Sequence, residues 1–292
     1  MAESPAHRFG QIIGDLIEEI ILPQLQAYCD ERGLYLDKKG KRGEARSGYK
    51  VRWQDKFENF HDLDFVIESG GTDDEVGRPL AFIEAAWRRY TKHSRAKAQE
   101  IQGAVLPLAE KHHWDKPFLG AILAGVFTKD ALTQMRSCGF EVILMPYDSI
   151  VAAFAAVGIN AGFDEQTPDA DFKQAIVQIE ALSPNNRTVL KHHLVDSNAK
   201  QLEGFFSRLQ KAIDRVVNRV IIVPLHGTEN TFDSLIDAMR FLVTHDYSAR
   251  STGEFKKYEV IVRYSNEDRV DASFEDKEAA IDFLKYVGTS TI

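Results

Sequence analysis

The sequence predicts an α/β fold: a mixed sheet flanked by helices in the order α-β-β-β-α-β, followed by a helical and small α+β region. Three observations predict it. Ile12, Ile13, Leu16, Ile17, Ile20 and Ile21 recur at helical spacing near the start of the chain. "DLDFVIE" (62–68) alternates apolar and polar residues as a strand does. "FLGAILAGVF" (118–127) and "FEVILMPY" (140–147) are nearly continuous apolar runs, each followed by a helical pattern, as strands covered on both faces would be.

The elements follow in order. Residues 7–31 read as a helix that Pro23 kinks or splits. The Gly-rich stretch 38–48 reads as a loop, and "YKVRW" (49–53) as the first strand. Strands at 62–68 and 80–87 flank a Gly/Asp-rich turn and form a hairpin. A helix spans 92–112. A second starts at Thr128 as N-cap and ends at Gly139, and a third is capped by Asp148. A domain boundary is expected at 158–170, dividing the chain into 1–158 and 159–292. Beyond it lie helices to about residue 218 and then a β-α-β-β-α module.

Composition narrows the function classes. The chain has 292 residues, 44% of them hydrophobic, and a net charge of −8, which fits a folded globular protein rather than a passive nucleic-acid coat. Its two cysteines, Cys29 and Cys138, form no metal motif and suit a reducing, cytoplasmic compartment. The N-terminal stretch carries acids within its apolar residues, unlike a signal peptide. No run of about 18 apolar residues predicts a membrane span. No P-loop, GxGxxG or GxSxG motif is present. His112–His113 and His192–His193 lack the spacing of zinc ligands.

Two stretches depart from the acidic average. Residues 38–52, "KKGKRGEARSGYKVR", hold seven lysines or arginines. Residues 88–97 bring Arg88, Arg89, Lys92, Arg95 and Lys97 directly after an apolar run containing Glu84. On a hairpin, Glu84 can face Asp64. Carboxylates in apolar strands are costly unless paired or bound to a cation, and two together repel. A divalent metal removes that repulsion, and an all-oxygen set suits Mg²⁺ or Mn²⁺. The plainer alternative is a pair of salt bridges from these acids to Arg88, Arg89 or Lys50.

The element order, with "DLD" at 62–64 and "IEAAW" at 83–87, resembles the PD-(D/E)xK nuclease superfamily, the restriction endonuclease-like fold, over roughly residues 7–158. The resemblance implies a Mg-dependent DNA endonuclease with Asp64 and Glu84 as metal ligands. It also implies a glutamate from the first helix, Glu18 ahead of Glu19. Phosphate contacts would come from Arg88, Arg89, Lys92, Arg95, Lys97, Lys50 and Arg46. The expected substrate is double-stranded DNA, cut by a homodimer in a restriction or defence role, with residues 159–292 recognising DNA, dimerising or binding a partner.

One position departs from the pattern. The family carries a lysine two residues after the acid, where this chain has Ala86. Either another residue takes the role (Lys92 first, then Arg89 or Lys50), or the metal serves without it, or the domain is an inactive DNA- or partner-binding protein.

Overall fold

The computed structural model describes residues 4–91, 94–225, 229–246 and 255–289. The chain divides into two compact units. The first comprises residues 1–111 and 118–208, the second residues 112–117 and 209–292. The expected division at 158–170 is not where the packing separates. Helices at 169–180 and 184–197 pack on the N-terminal helix and belong with the first unit.

The first unit is α/β. Its five-stranded sheet has the order β1 (Tyr35–Lys38), β4 (Phe65–Ser69), β5 (Arg78–Arg88), β6 (Phe118–Gly125), β7 (Phe140–Pro146). The pairs β1–β4 and β4–β5 are antiparallel, whereas β5–β6 and β6–β7 are parallel. A separate two-stranded ribbon joins β2 (Val51–Gln54) to β3 (Phe60–Leu63). The strand expected at 49–53 therefore forms outside the main sheet. The outer position next to β4 belongs to the short "YLDK" strand β1, whose mixed polarity hid it. Its Asp37 is buried because Arg42 meets it at 2.9 Å.

Helices cover both sheet faces. α1 (Pro5–Asp30) is one uninterrupted helix containing Pro23. It buries Phe9, Ile13, Leu16, Ile17, Ile20 and Ile21, and it packs on β5. On the opposite face, α2 (Ser94–Lys111) and α3 (Lys129–Ser137) seal a core of Val66, Phe82, Ala86, Ile101, Val105, Leu123 and Met135. Thr128 caps α3 as expected, accepting the Ala131 N–H. α4 (Tyr147–Ala155) begins after Pro146 without a side-chain cap, and Asp148 sits within its first turn. α5 (Asp169–Glu180), α6 (Pro184–Ser197) and α7 (Ala199–Ile213) follow.

The second unit carries a four-stranded antiparallel sheet in the order β11 (Arg269–Phe274), β10 (Tyr258–Tyr264), β8 (Val217–Pro224), β9 (Asn230–Phe232). α8 (Leu235–Thr244) and α9 (Lys277–Thr289) close its core around Val220, Ile222, Val260, Val262, Leu242 and Leu284. Residues 112–117 belong to this unit. The Trp114 ring lies 5.1 Å from that of Phe283, Tyr286 donates its hydroxyl to Asp115, and Arg215 bonds the Lys116 carbonyl at 2.9 Å. Among the described residues, no helix is long and apolar enough to cross a membrane.

Candidate active site

The site grows out of a strand that changes partners. Residues 60–69 are extended except at Asp64. Before it, β3 pairs with β2; after it, β4 pairs with β1 and β5. The antiparallel register joins Phe65 to Ile83, so β4 stops pairing with β5 just short of Glu84. β5 continues alongside β6, from Glu84 opposite Ala121 to Arg88 opposite Gly125. The stretch 84–88 thus has a strand on one side only, and a cleft forms along it.

Asp64 and Glu84 meet at the branch. The Ala85 N–H donates to Asp64 Oδ2 at 2.7 Å, and the Asp64 N–H donates to Glu84 Oε1 at 3.3 Å. Each carboxylate is tied to the other residue's strand, in place of the ladder bonds that end there. Glu84 is 7% exposed. Burial and then the neighbouring Asp64 charge push its pKa well above the usual carboxylate range. Burial also raises Asp64, opposed by the Ala85 N–H and by the charges of Lys97 and Lys39. Among the described residues, neither acid forms an ion pair with a lysine or arginine, so the plainer salt-bridge alternative does not describe this pair.

Glu18 on α1 feels the charge of Asp64. Burial, followed by the charge of Asp64, raises its pKa to about 7. Glu19 turns away and pairs with Lys191 at 2.7 Å.

The basic residues divide. Lys97 on α2 lines the cleft; its side chain is 16% exposed, and its Nζ lies 2.7 Å from Glu100. Its charge opposes the pKa rise of both Asp64 and Glu84. Arg88 lines the cleft, donating to the Trp87 carbonyl at 2.8 Å. Arg89 lines it too but is occupied, with its guanidinium 4.4 Å over the Phe172 ring and bonded to the Ala6 carbonyl at 3.2 Å. Arg95 is exposed on α2. Lys50 is exposed and paired with Asp62 at 2.7 Å.

Arg46 corrects an expectation. Its guanidinium is buried, 3.0 Å from Asp37, and donates to the Lys38 and Gly40 carbonyls. Arg42 beside it makes two bonds to Glu68, at 2.6 and 2.9 Å. These arginines of the basic stretch neutralise strand acids and shape their own loop, so Arg46 is not presented to a phosphate. Lys92, the first candidate for the missing lysine, lies outside the described residues.

The cleft, about 750 Å³, is lined on the sheet side by Ala85, Ala86, Trp87 and Arg88, with Lys97, Gln11 and Gly14 beside them. Asp164, Glu165 and Asp169 line it as well. Ala86 is buried against the apolar core yet borders the cleft. Sequence reasoning missed Lys97 as a partner of the acids. Its spacing from Glu84 gave no signal, because only the packing of α2 over β5 brings the two together.

The acid pair suits a divalent cation. A buried Glu84 beside a half-buried Asp64 offers oxygen donors whose repulsion a cation would relieve. Among the described residues, no group of three His, Cys, Asp or Glu forms a complete cage. Mg²⁺ bound through one or two carboxylates completes its shell with water and phosphate oxygens.

No protein-family model matches the chain, and no curated protein does. One solved structure, of a protein of unknown function named AF1548, aligns with 67% of this chain and 97% of its own, at 12% identity and a TM-score of 0.29. A likeness that low carries no argument about fold or function.

Proposed function

We propose that the chain is a metal-dependent endodeoxyribonuclease whose first unit has a restriction endonuclease-like core. The observation that carries this reading is the juxtaposition of Asp64 and Glu84. The buried Glu84 and the half-buried Asp64, both raised above the usual carboxylate range, are tied together by backbone N–H groups at the branch of a mixed sheet, and both feel the charge of Lys97. The element order around them supports it.

In this reading Asp64 and Glu84 hold Mg²⁺ or Mn²⁺, and Glu18 borders the site. The bound cation supplies a Lewis acid and a water of lowered pKa. Lys97 stands in for the lysine absent at Ala86. Its ammonium orients the attacking water and offsets the negative charge that builds on the phosphoryl oxygens. Arg88 contacts a neighbouring phosphate along the cleft. Water adds to phosphorus in line, and the opposite P–O bond breaks. Cutting both strands of a duplex calls for two copies of this site, hence a homodimer.

A second reading is favoured by Ala86 alone: a nuclease-fold protein that binds DNA or a partner without cutting. The test is supercoiled plasmid incubated with the chain and Mg²⁺ or Mn²⁺, with and without chelator. Nicked or linear product that the chelator prevents supports the nuclease. Intact plasmid under every condition contradicts it.

A further inference from the structure

Among the described residues, α8 and α9 pack on one face of the second unit's sheet. Val220, Ile222, Tyr258, Val260, Val262 and Val270 fill the core beneath α8 and α9. The residues alternating with them point to the other face. There the register aligns three arginines: Arg263 on β10 stands directly opposite Arg219 on β8 and directly opposite Arg269 on β11. All three are exposed. With strands about 4.8 Å apart, the row spans roughly 10 Å.

Like charges placed directly opposite one another destabilise a sheet. The acids nearby relieve the row only at its ends. Arg269 bonds Asp271 at 2.6 Å, and Arg219 lies 3.9 Å from an exposed Asp233. Arg263, at the centre, has no ion pair among the described residues. Beside the row Ile261 stands between Ile221 on β8 and Asp271 on β11, the acid already bonded to Arg269, and Ile221 stands opposite Thr231; farther along the face Glu259 pairs with Lys257 at 3.1 Å.

The strand aromatics do not decorate this face. Phe232 packs on Phe241 and Phe274 on Phe283, while Tyr258 and Tyr264 are buried in the core. A platform for unstacked bases needs exposed rings. A ring-free surface with an arginine row whose central member, Arg263, is left for an anion complements a sugar–phosphate backbone instead.

We infer that this sheet face binds the backbone of duplex DNA, with the arginine row engaging consecutive phosphates and Ile221 and Ile261 lying against the sugars. Binding of this kind positions the duplex without reading its sequence. The choice of DNA rests on the nuclease reading; the anionic-backbone chemistry rests on the arginine row.

The test is fluorescence anisotropy of a short labelled duplex of arbitrary sequence with the full chain, in chelator, as a function of salt. The triple variant Arg219→Gln, Arg263→Gln, Arg269→Gln should bind about 10-fold or more weakly, with the slope of log affinity against log salt smaller by about 2 to 3. The corresponding triple lysine variant should keep most of the slope, which separates charge from folding. Wild-type affinity in the glutamine variant, no duplex binding by the wild type, or equal dependence on the row for a single-stranded probe would each overturn the proposal. Cleavage assayed in parallel keeps the two readings apart. A chain that cuts but ignores the three substitutions loses only this inference. A chain that never cuts but binds through the row loses only the nuclease.

Discussion

The N–H of Asp64 donates to the carboxylate of Glu84, and the N–H next to Glu84, that of Ala85, donates back to Asp64. This reciprocal tie fixes two acids side by side where the sheet branches. It holds them in burial that disfavours their charge.

The pH dependence of stability follows with a definite sign. Glu84, Asp64 and Glu18 all have raised pKa values in the folded chain, Glu18 reaching about 7 from an ordinary 4.5. A raised carboxyl binds its proton more tightly folded than unfolded. Its contribution is therefore fully present below the unfolded pKa and is lost as pH rises through the folded one. Metal-free thermal melts from pH 4.5 to 7.5 should show Glu84→Gln gaining on wild type as pH rises, by a few degrees at the upper end. Mg²⁺ should close that gap by stabilising wild type alone. A Glu84→Gln protein less stable than wild type at pH 7.5 would mean that the acids are already compensated.

Lys97 is predicted to carry the role of the absent lysine. Lys97→Ala should lower cleavage by about 10²-fold or more, the scale of lost proton-transfer and charge stabilisation. Duplex affinity in chelator should stay within about 2-fold, since one phosphate contact at most is lost. Parallel loss of affinity and cleavage would make Lys97 a binding residue only.

Ala86 lies on the same strand face as Glu84 and borders the cleft. A lysine there has an outlet for its ammonium but must thread past Val66, Phe82 and Ile101. Ala86→Lys alone should cost about 1–3 kcal/mol of stability, as overpacking does, and add little activity. In a Lys97→Ala background it should restore cleavage about 10-fold or more, as expected when a general-acid–base group is returned to its site. No restoration would detach Lys97 from the lysine role.

Arg42 joins Glu68, Asp37 and two backbone carbonyls in a buried cluster. Arg42→Ala leaves Glu68 buried without a cationic partner and Asp37 with Arg46 alone, a loss of about 3–5 kcal/mol. Denaturant unfolding should register it. Arg46→Gln should likewise lower stability and leave duplex affinity unchanged, because its guanidinium already serves Asp37. A weaker affinity with unaltered stability would return Arg46 to the DNA interface.

Much of the α/β organisation was legible because its strands and helices repeat apolar residues at their own periods. Asp64 and Glu84 were legible for the same reason: an acid within an apolar run stands out. What stayed hidden depends on distant partners. β1 is four residues of mixed polarity whose buried Asp37 is neutralised by Arg42 and Arg46. The basic stretch 38–52 looked like a phosphate grip, yet its Arg42 and Arg46 turn inward to Asp37 and Glu68. Lys97 brings its charge to bear on the acids through helix packing. The arginine row of the second unit exists only in the register of three strands.

The most direct measurement is cleavage of plasmid and phage DNA, modified and unmodified, by wild type, Asp64→Ala and Glu84→Ala side by side with Mg²⁺ or Mn²⁺. The account predicts metal-dependent cutting by wild type and a loss of about 10³-fold or more in both variants, with duplex binding retained. Cutting that survives either substitution, or no cutting by wild type on any of these DNAs, would contradict it.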